Sequence, residues 1–217
     1  MSTEKQTTLS TQECNNEIVI IDTGCANLSS VRFAIKRLGF DAIITDDVKI
    51  INNADKVILP GVGNAKHAMK NIKEKQLVDC IKNLTQPVLG FCLGMQLMTQ
   101  ASYESTVGEH REKIDCLNVI PTEIKPLDAK SNRLPHMGWN TLTSVIDHPI
   151  FAGINAGDYF YFVHSFAAPL SQYTGATCEY GSEFSAAIVK DNFIGCQFHP
   201  ERSGENGSKI IKNFLEM

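Results

Sequence analysis

A short segment around Cys92 constrains the fold of this chain more than any other part of the sequence. An apolar run over 87–91 leads into the cysteine, and Gly90 and Gly94 lie two residues before and after it. This is the spacing of a nucleophile elbow, a sharp strand-to-helix turn with room only for small residues at those positions, here with cysteine in place of serine. The turn would aim the thiol at a pocket, near a helix N-terminus whose dipole favours the thiolate. A buried structural cysteine is the alternative, but the glycines, the apolar run and the helix-like stretch together favour a catalytic one.

A base for this nucleophile is predicted near the C-terminus, at His199. Pro200 biases His199 toward extended backbone, where side chains two residues apart point the same way. Glu201 could then hold one imidazole nitrogen while the other faces the thiol. His-Pro-Glu alone is a weak signal, because a solvated loop would also carry it by chance. Together with the elbow, it predicts a catalytic triad of Cys92, His199 and Glu201.

A glycine-rich loop is a candidate for part of an oxyanion hole. The apolar segment 57–59 runs into Pro-Gly-Val-Gly at 60–63, whose backbone N–H groups can face an anion. Acyl transfer at an elbow uses one N–H from the residue after the nucleophile, here Leu93, and one from a neighbouring strand-to-helix loop. Without Cys92, an ordinary turn would be the better interpretation of residues 60–63.

Composition limits the classes of protein to which the chain can belong. With 217 residues, 43% hydrophobic and 20% charged, it suits one globular α/β domain, which we place at 17–217. The net charge of −4 gives no reason to expect nucleic acid or an anionic membrane as partner, and no apolar run is long enough to cross a bilayer. Residues 1–16 are polar and lack the apolar region of a secretory signal, so we expect a disordered extension there.

The cysteines and histidines indicate a reduced protein without a metal. There are seven cysteines, an odd number, and no two have the spacing Cys-x-x-Cys. This usage is typical of a cytoplasmic protein and not of a disulfide framework. The six histidines form neither His-Glu-x-x-His nor a zinc-type pairing with cysteine. The sequence therefore predicts no metal site and no cofactor.

The order of elements predicts a mixed α/β fold. The first half alternates strands and helices, which implies a parallel sheet covered on both faces, with functional loops at its C-terminal edge. We expect strands over 17–22, 41–45, 56–59 and 87–91, and helices over 28–38, 65–73, 74–83 and 93–104. The second half is richer in strands, expected over 114–120, 121–127, 139–145, 158–166, 175–178, 184–189 and 192–198, before a last helix over 209–216. The predicted fold is one mixed, mainly parallel central sheet flanked by helices.

Seven short motifs give the chain a family resemblance from about Ile18 to the end. Pro-Gly-Val-Gly at 60–63, Gly-Phe-Cys-Leu-Gly-Met-Gln at 90–96 and Phe-His-Pro-Glu at 198–201 resemble the class I, triad-type glutamine amidotransferases, which have a flavodoxin-like fold. Segments 22–28, 135–140, 159–165 and 199–204 are similar to the glutaminase subunits of imidazole glycerol phosphate synthase, from histidine biosynthesis. Two features depart from that pattern: the family often has tyrosine where this chain has Phe166, and it usually starts at the first strand.

The resemblance implies a role for each matching residue. It makes Cys92 the nucleophile, His199 the general acid and base, Glu201 its orienting group, and the amides of Val62 and Leu93 the oxyanion hole. Glutamine binding is implied for Gly63, Gln96, Glu104, Ser165 and Phe166. The implied partner is a (β/α)8-barrel cyclase subunit, which receives ammonia from the glutaminase in a heterodimer and makes imidazole glycerol phosphate and AICAR. Trp139, Asn140 and Arg202 would lie near that interface.

Three other interpretations remain open from the sequence. The glutaminase of another amidotransferase, such as anthranilate synthase, shares the triad, although the motifs at 135–140 and 162–165 argue against it. A cysteine peptidase or esterase would need an open groove for a larger substrate. A non-enzymatic scaffold subunit would be expected to lack a triad member, and none is missing.

Overall fold

The computed structural model describes residues 17–24, 27–104 and 112–217. The expected disordered extension over 1–16 lies outside the described residues, and the single domain over 17–217 stays a prediction. In the described parts of the chain, no helix combines the length and the apolar character that a membrane crossing requires.

A parallel half of the main sheet is built from short, wholly apolar or nearly apolar strands. Its strands are β1 (Ile18–Ile21), β2 (Ala42–Thr45), β3 (Lys56–Leu59) and β4 (Val88–Phe91). They lie in the order β2-β1-β3-β4, and every pairing among them is parallel. Strands β1, β3 and β4 are buried along their whole length, as expected for a sheet covered on both faces.

Helices cover this half on both faces. They are α1 (Leu28–Arg37), α2 (Val48–Asn53), α3 (Ala65–Glu74), α4 (Val78–Lys82), α5 (Leu93–Met98) and, from the C-terminus, α6 (Gly204–Glu216). Asn27, Asp47 and Asn64 cap the first three, each accepting a backbone N–H with its side chain. One apolar core includes residues of α1 and α6, and a second includes residues of α2 to α5, so the sheet is packed on two sides.

The rest of the main sheet is antiparallel. Its strands are β8 (His136–Val145), β9 (Tyr159–His164), β11 (Thr174–Tyr180), β12 (Ser182–Lys190) and β13 (Phe193–Cys196). β13 pairs in parallel with β4, and the order continues β13-β12-β11-β8-β9 through antiparallel pairs. The mixed α/β fold with a central sheet and flanking helices is thus confirmed, and β13 joins its parallel and antiparallel halves.

The predicted helix over 93–104 is wrong beyond Met98. The chain turns there into β5 (Thr99–Ser102), which joins β6 (Ile114–Asp115), β7 (Ile120–Pro126) and β10 (Phe166–Ala167) in a second sheet of order β10-β7-β5-β6. The buried Thr99 hydroxyl bonds to the carbonyl of Gln96 at 2.7 Å. A side chain that bonds the backbone in this way competes with helical hydrogen bonds, and pairing with β7 fixes the extended form.

Two other helix predictions need correction, and one short helix was missed. The predicted helix over 74–83 is only α4, because Gln76 has a positive φ of 56° that no helix continues through. The last helix starts at Gly204, five residues before the predicted start. The short helix α2 was not predicted, although Asp47 is a strong capping residue. Two 3₁₀ turns complete the described elements, Pro149–Phe151 and Pro200–Arg202.

Candidate active site

The predicted strand–turn–helix around Cys92 is present, and the turn is strained. β4 ends at Phe91, α5 starts at Leu93, and Cys92 between them has φ +49° and ψ −108°. A side-chain-bearing residue rarely adopts such a backbone, at a cost of about 1–3 kcal/mol, and such strain gathers at functional sites. The turn is held by a 2.7 Å hydrogen bond from the Cys92 N–H to the carbonyl of Cys196.

The two elbow glycines are required by close backbone contacts. A Cβ on Gly94 would lie 1.8 Å from the carbonyl oxygen of Leu59, at the end of β3. A Cβ on Gly90 would lie 2.7 Å from the backbone nitrogen of Met95. The spacing of small residues around Cys92 therefore has the steric origin that the elbow predicts.

Register brings His199 to Cys92. β4 and β13 are parallel neighbours with Phe91 opposite Cys196, so both chains leave the sheet at the same edge. Cys92 and Gln197 are the next residues of the two chains and lie side by side at this edge, and His199 comes two residues after Gln197. The distant C-terminal motif and the elbow thus share one end of the sheet, as the alternation of elements predicts.

His199 and Glu201 form a buried pair, although the predicted extended backbone is only partly right. His199 is extended, but Pro200, Glu201 and Arg202 form a 3₁₀ turn. The turn still brings the Glu201 carboxylate to 2.9 Å from Nδ1 of His199, so that Nδ1–H donates to it and Nε2 is left for the thiol. The His199 side chain is 9% exposed and that of Glu201 is 6% exposed.

The charges of the triad reinforce one another. Burial disfavours the imidazolium, but hydrogen bonds and charge attraction from Cys92 and Glu201 outweigh it and raise the pKa of His199 to about 10. A histidine held between a carboxylate and a sulfur is the arrangement in which an adjacent base activates a cysteine nucleophile. The site can therefore support covalent acyl transfer.

One cavity of ≈ 470 Å³ collects most of the predicted site residues. Its lining includes the triad and, from the predicted sets, Val62, Gly63, Leu93, Gln96, Glu104, Ser165 and Arg202. Phe166 does not line it, but its carbonyl accepts a 3.2 Å hydrogen bond from Gln96, which does. A cavity of this size suits a small molecule.

Comparison with known proteins identifies the family. The family model of the class I glutamine amidotransferases matches residues 19–217. The chain is 69% identical over 207 residues to the imidazole glycerol phosphate synthase subunit HisH of Colwellia psychrerythraea, covering 92% of each chain. It belongs to the class I glutamine amidotransferase family. It is also 55% identical over 206 residues to the HisH subunit of Shewanella loihica, covering 94% of this chain and 92% of that one, which places this amidotransferase among the HisH proteins.

A solved structure supports the fold independently of close sequence identity. The structure of a glutamine amidotransferase shares a TM-score of 0.68 at 16% identity, covering 91% of this chain and 97% of the other. At that identity the likeness shows the fold alone.

The predicted interface residues of the amidotransferase lie outside the cavity or at its edge. Trp139 is 55% exposed on β8, where its ring lies 6.0 Å from that of Tyr161 on β9. The Arg202 guanidinium lies 5.9 Å from the same Tyr161 ring and also lines the cavity. Asn140 is half-buried on β8, and its carboxamide donates to the carbonyl of Glu179 at 2.9 Å, so its place at an interface stays a prediction.

Sequence reasoning missed three residues of this site. Gln197 is fully buried, with its side-chain nitrogen 3.7 Å from the Cys92 sulfur. Ser203 donates to the carbonyl of His199 at 2.7 Å and accepts the N–H of Tyr161 at 3.0 Å. His164 lines the cavity and reaches the Phe166 carbonyl at 2.9 Å. Gln197 left a usable signal, since a lone amide in an otherwise apolar strand end seldom lacks a partner.

Proposed function

We propose that this chain hydrolyses L-glutamine to L-glutamate and ammonia, and passes the ammonia to a (β/α)8-barrel cyclase subunit in a heterodimer that makes imidazole glycerol phosphate and AICAR. The observation that carries the proposal is the strained Cys92 elbow facing the same cavity as the buried His199–Glu201 pair. The relatives named as HisH subunits of imidazole glycerol phosphate synthase support this choice among amidotransferases.

In the first half-reaction, the Cys92 thiolate attacks the side-chain amide carbon of glutamine. The electron pair of the C=O bond moves to oxygen, and the Val62 and Leu93 amides are the proposed donors to that oxyanion. Val62, Gly63 and Leu93 line the cavity beside the sulfur, which supports their role. The intermediate collapses to a thioester as the C–N bond breaks, and His199 protonates the departing nitrogen so that neutral ammonia leaves.

In the second half-reaction, water replaces ammonia. His199, now without its proton, takes one from the water as the oxygen attacks the thioester carbon. The C–S bond then breaks, glutamate forms and the thiolate returns beside the imidazolium. Glu201 holds Nδ1 of His199 at 2.9 Å throughout, which keeps Nε2 aimed at the reacting atoms.

Glu104 and Gln96 are the proposed contacts of the amino-acid end of glutamine, together with Gly63 and the Ser165–Phe166 backbone. Burial raises the pKa of Glu104 to about 7, so its charged form gains from a positive partner such as an α-ammonium group. Among the described residues, Oε1 of Gln96 is buried without a hydrogen-bond partner, and Gln96 lines the cavity. A substrate N–H group would satisfy that oxygen.

An exposed aromatic surface beside the cavity is the proposed cyclase-binding face. Residues two apart on a strand share a face, and on β8 this face carries Met137 and Trp139, 62% and 55% exposed. Tyr159 on the neighbouring strand is 58% exposed, and Arg202 extends the surface to the cavity. Aromatic side chains, Met and Arg are enriched at protein interfaces, which supports this assignment. Ammonia leaving the cavity at this face would stay neutral only on a path without water.

The proposed location is the cytoplasm. The cysteines within the described residues are all free thiols, at positions 80, 92, 116, 178 and 196, as expected in a reducing compartment.

The proposal is tested by measuring ammonia release from glutamine, from a peptide amide and from an ester, with and without the cyclase subunit. We expect activity on glutamine alone, low in the isolated chain and strongly raised by the cyclase with its nucleotide substrate. Cys92→Ala should abolish it, by at least about 10⁴-fold, with the fold intact. Trp139→Ala should weaken cyclase binding more than Phe33→Ala, which removes a similarly exposed aromatic side chain from α1, outside the proposed face. Preference for peptide or ester would contradict the proposal.

A further inference from the structure

Gln197 joins the nucleophile to the proposed glutamine-binding residue Gln96. Its side chain is fully buried at the end of β13. Its Oε1 lies 3.1 Å from Nε2 of Gln96, and its Nε2 lies 3.7 Å from the Cys92 sulfur. A buried carboxamide with both ends engaged in one active site is an unusual place for a residue with only a packing role.

The orientation of the Gln197 carboxamide is set through Gln96 by the carbonyl of Phe166, which can only accept hydrogen bonds. His164 Nδ1 donates to it at 2.9 Å and Gln96 Nε2 at 3.2 Å. The nitrogen end of Gln96 is therefore fixed, and its second hydrogen goes to Oε1 of Gln197. With its oxygen used as an acceptor, Gln197 must present its N–H group to Cys92.

A second histidine fits the tautomer that the Phe166 carbonyl requires of His164. Since Nδ1 of His164 carries the proton, Nε2 must accept, and Nδ1 of His136 lies 2.9 Å from it. His136 is stacked between Phe162 and Tyr180, and its Nε2 lies 3.2 Å from the Asn140 amide nitrogen. Every link in this chain has one consistent donor direction, from Asn140 to the Phe166 carbonyl. The histidine chain thus ends on the same carbonyl that orients Gln96, and this carbonyl sets which end of Gln197 faces the sulfur.

Two neutral groups at the sulfur act in opposite directions. The carbonyl of Val163 lies 3.7 Å from Sγ and can accept a bond from the thiol, but it repels a thiolate. The Gln197 N–H lies at the same distance and favours the thiolate. Removing the Gln197 donor would leave the carbonyl opposed only by the imidazolium of His199.

We propose that Gln197 is a catalytic residue whose N–H stabilises negative charge on the Cys92 sulfur. It acts on the thiolate before attack and again when the thioester C–S bond breaks and the electron pair returns to sulfur. Its effect on attack is partial, because a more stable thiolate is a weaker nucleophile, whereas its effect on the leaving sulfur is in the favourable direction only. The inference rests on the proposed glutaminase function for the second step, but the first is a property of Cys92 alone.

Two substitutions separate the donor from the rest of the side chain. Gln197→Glu keeps the shape and the acceptor for Gln96, but places an oxygen where the N–H faced the sulfur. Gln197→Met keeps the approximate volume and removes both polar ends. Gln172, an exposed glutamine, provides the matched controls Gln172→Glu and Gln172→Met.

The first readout is the rate of Cys92 alkylation by iodoacetamide against pH, followed by peptide mass spectrometry. We expect the midpoint to rise by about one pH unit in Gln197→Met and by more in Gln197→Glu, with both Gln172 variants unchanged. The second readout is glutamine turnover, with an expected loss of about 10- to 100-fold in kcat for Gln197→Met. Circular dichroism and thermal melting show whether each variant is folded.

Failure of the proposed Gln197 role and failure of the proposed glutaminase function would give different results. Absence of glutamine hydrolysis by the wild-type complex would count against the glutaminase proposal while leaving the alkylation test in force. A wild-type alkylation midpoint in a folded Gln197→Glu variant would overturn the inference, whatever its turnover. If Gln197→Met does not fold, Gln197→Glu alone decides the result.

Discussion

Cys92 and His199 reach the same cavity from adjacent parallel strands, but different contacts hold them there. Beside its one hydrogen bond to Cys196, Cys92 is fixed mainly by sterics: a positive φ, and two glycines whose replacement would bring side-chain atoms against backbone at 1.8 and 2.7 Å. His199 is fixed by hydrogen bonds from distant parts of the chain, with its N–H on the carbonyl of Tyr161 at 2.9 Å and its carbonyl on Ser203. The steric constraints leave a local signal in the sequence, the two glycines beside Cys92, whereas the hydrogen bonds of His199 leave none.

The largest expected effects on turnover lie within the hydrogen-bonded pair of His199 and Glu201. His199 moves protons, whereas Glu201 only orients it and steadies its charge, so His199→Ala should cost about 10- to 100-fold more turnover than Glu201→Gln. The measurement is kcat on glutamine for both folded variants in the presence of the cyclase. Equal losses would mean that Glu201 does more than orient the imidazole.

The steric side of the site should be intolerant of a single methyl group. Gly94→Ala places Cβ 1.8 Å from the Leu59 carbonyl, and we expect a loss of about 3 kcal/mol or more in the free energy of unfolding, or no folded protein. Gly175→Ala is the control, because its nearest neighbours at 3.0–3.4 Å are side-chain atoms of Val189 and Phe151 that can move. Denaturant unfolding of the two variants compares them directly, and equal stability would show that the elbow is not sterically fixed.

Loss of one hydrogen-bonding side chain near His199 should destabilise the protein only moderately. Ser203→Ala removes one donor and one acceptor at a buried position, and we expect a loss of about 1–3 kcal/mol with the protein still folded. Turnover should fall while alkylation of Cys92 stays possible, since the elbow does not depend on Ser203. A Ser203→Ala variant with wild-type stability and kcat would show that the serine does not hold His199.

The sequence predicted what sterics and local pattern determine. The elbow and the parallel strands follow from short-range rules, and both are present. The end of α5 at Met98 was not predicted, because pairing of β5 with β7 outweighs the local helical pattern. The 3₁₀ turn after His199 and the partners of Gln197 depend on contacts with β9, with the elbow and with α5, which no local pattern contains.

The smallest predicted effect concerns pH. Burial raises the pKa of Glu104 from 4.5 to about 7, so it loses its charge as pH falls through about 7. If the carboxylate binds the α-ammonium group, kcat/KM for glutamine should fall severalfold as pH falls through about 7, and Glu104→Gln should lack this inflection.

The raised pKa of Glu104 also means that the folded state binds the proton more tightly than the unfolded state. Wild-type stability should therefore fall relative to Glu104→Gln as pH rises from about 4.5 to about 7. An unchanged pH profile in Glu104→Gln would remove Glu104 from glutamine binding.

Cys92, placed by the elbow and activated by the His199–Glu201 pair, should be the residue that attacks glutamine. The most direct measurement is intact-protein and peptide mass spectrometry after brief treatment with an electrophilic glutamine analogue. We expect one adduct per chain, on Cys92 alone. Its formation should be much slower in His199→Ala, and excess glutamine should prevent it. The buried thiols of Cys178 and Cys196 should stay unmodified, because burial raises the pKa of both. Labelling at another cysteine, or labelling of Cys92 that glutamine does not prevent, would contradict the assignment of Cys92 as the nucleophile that attacks glutamine.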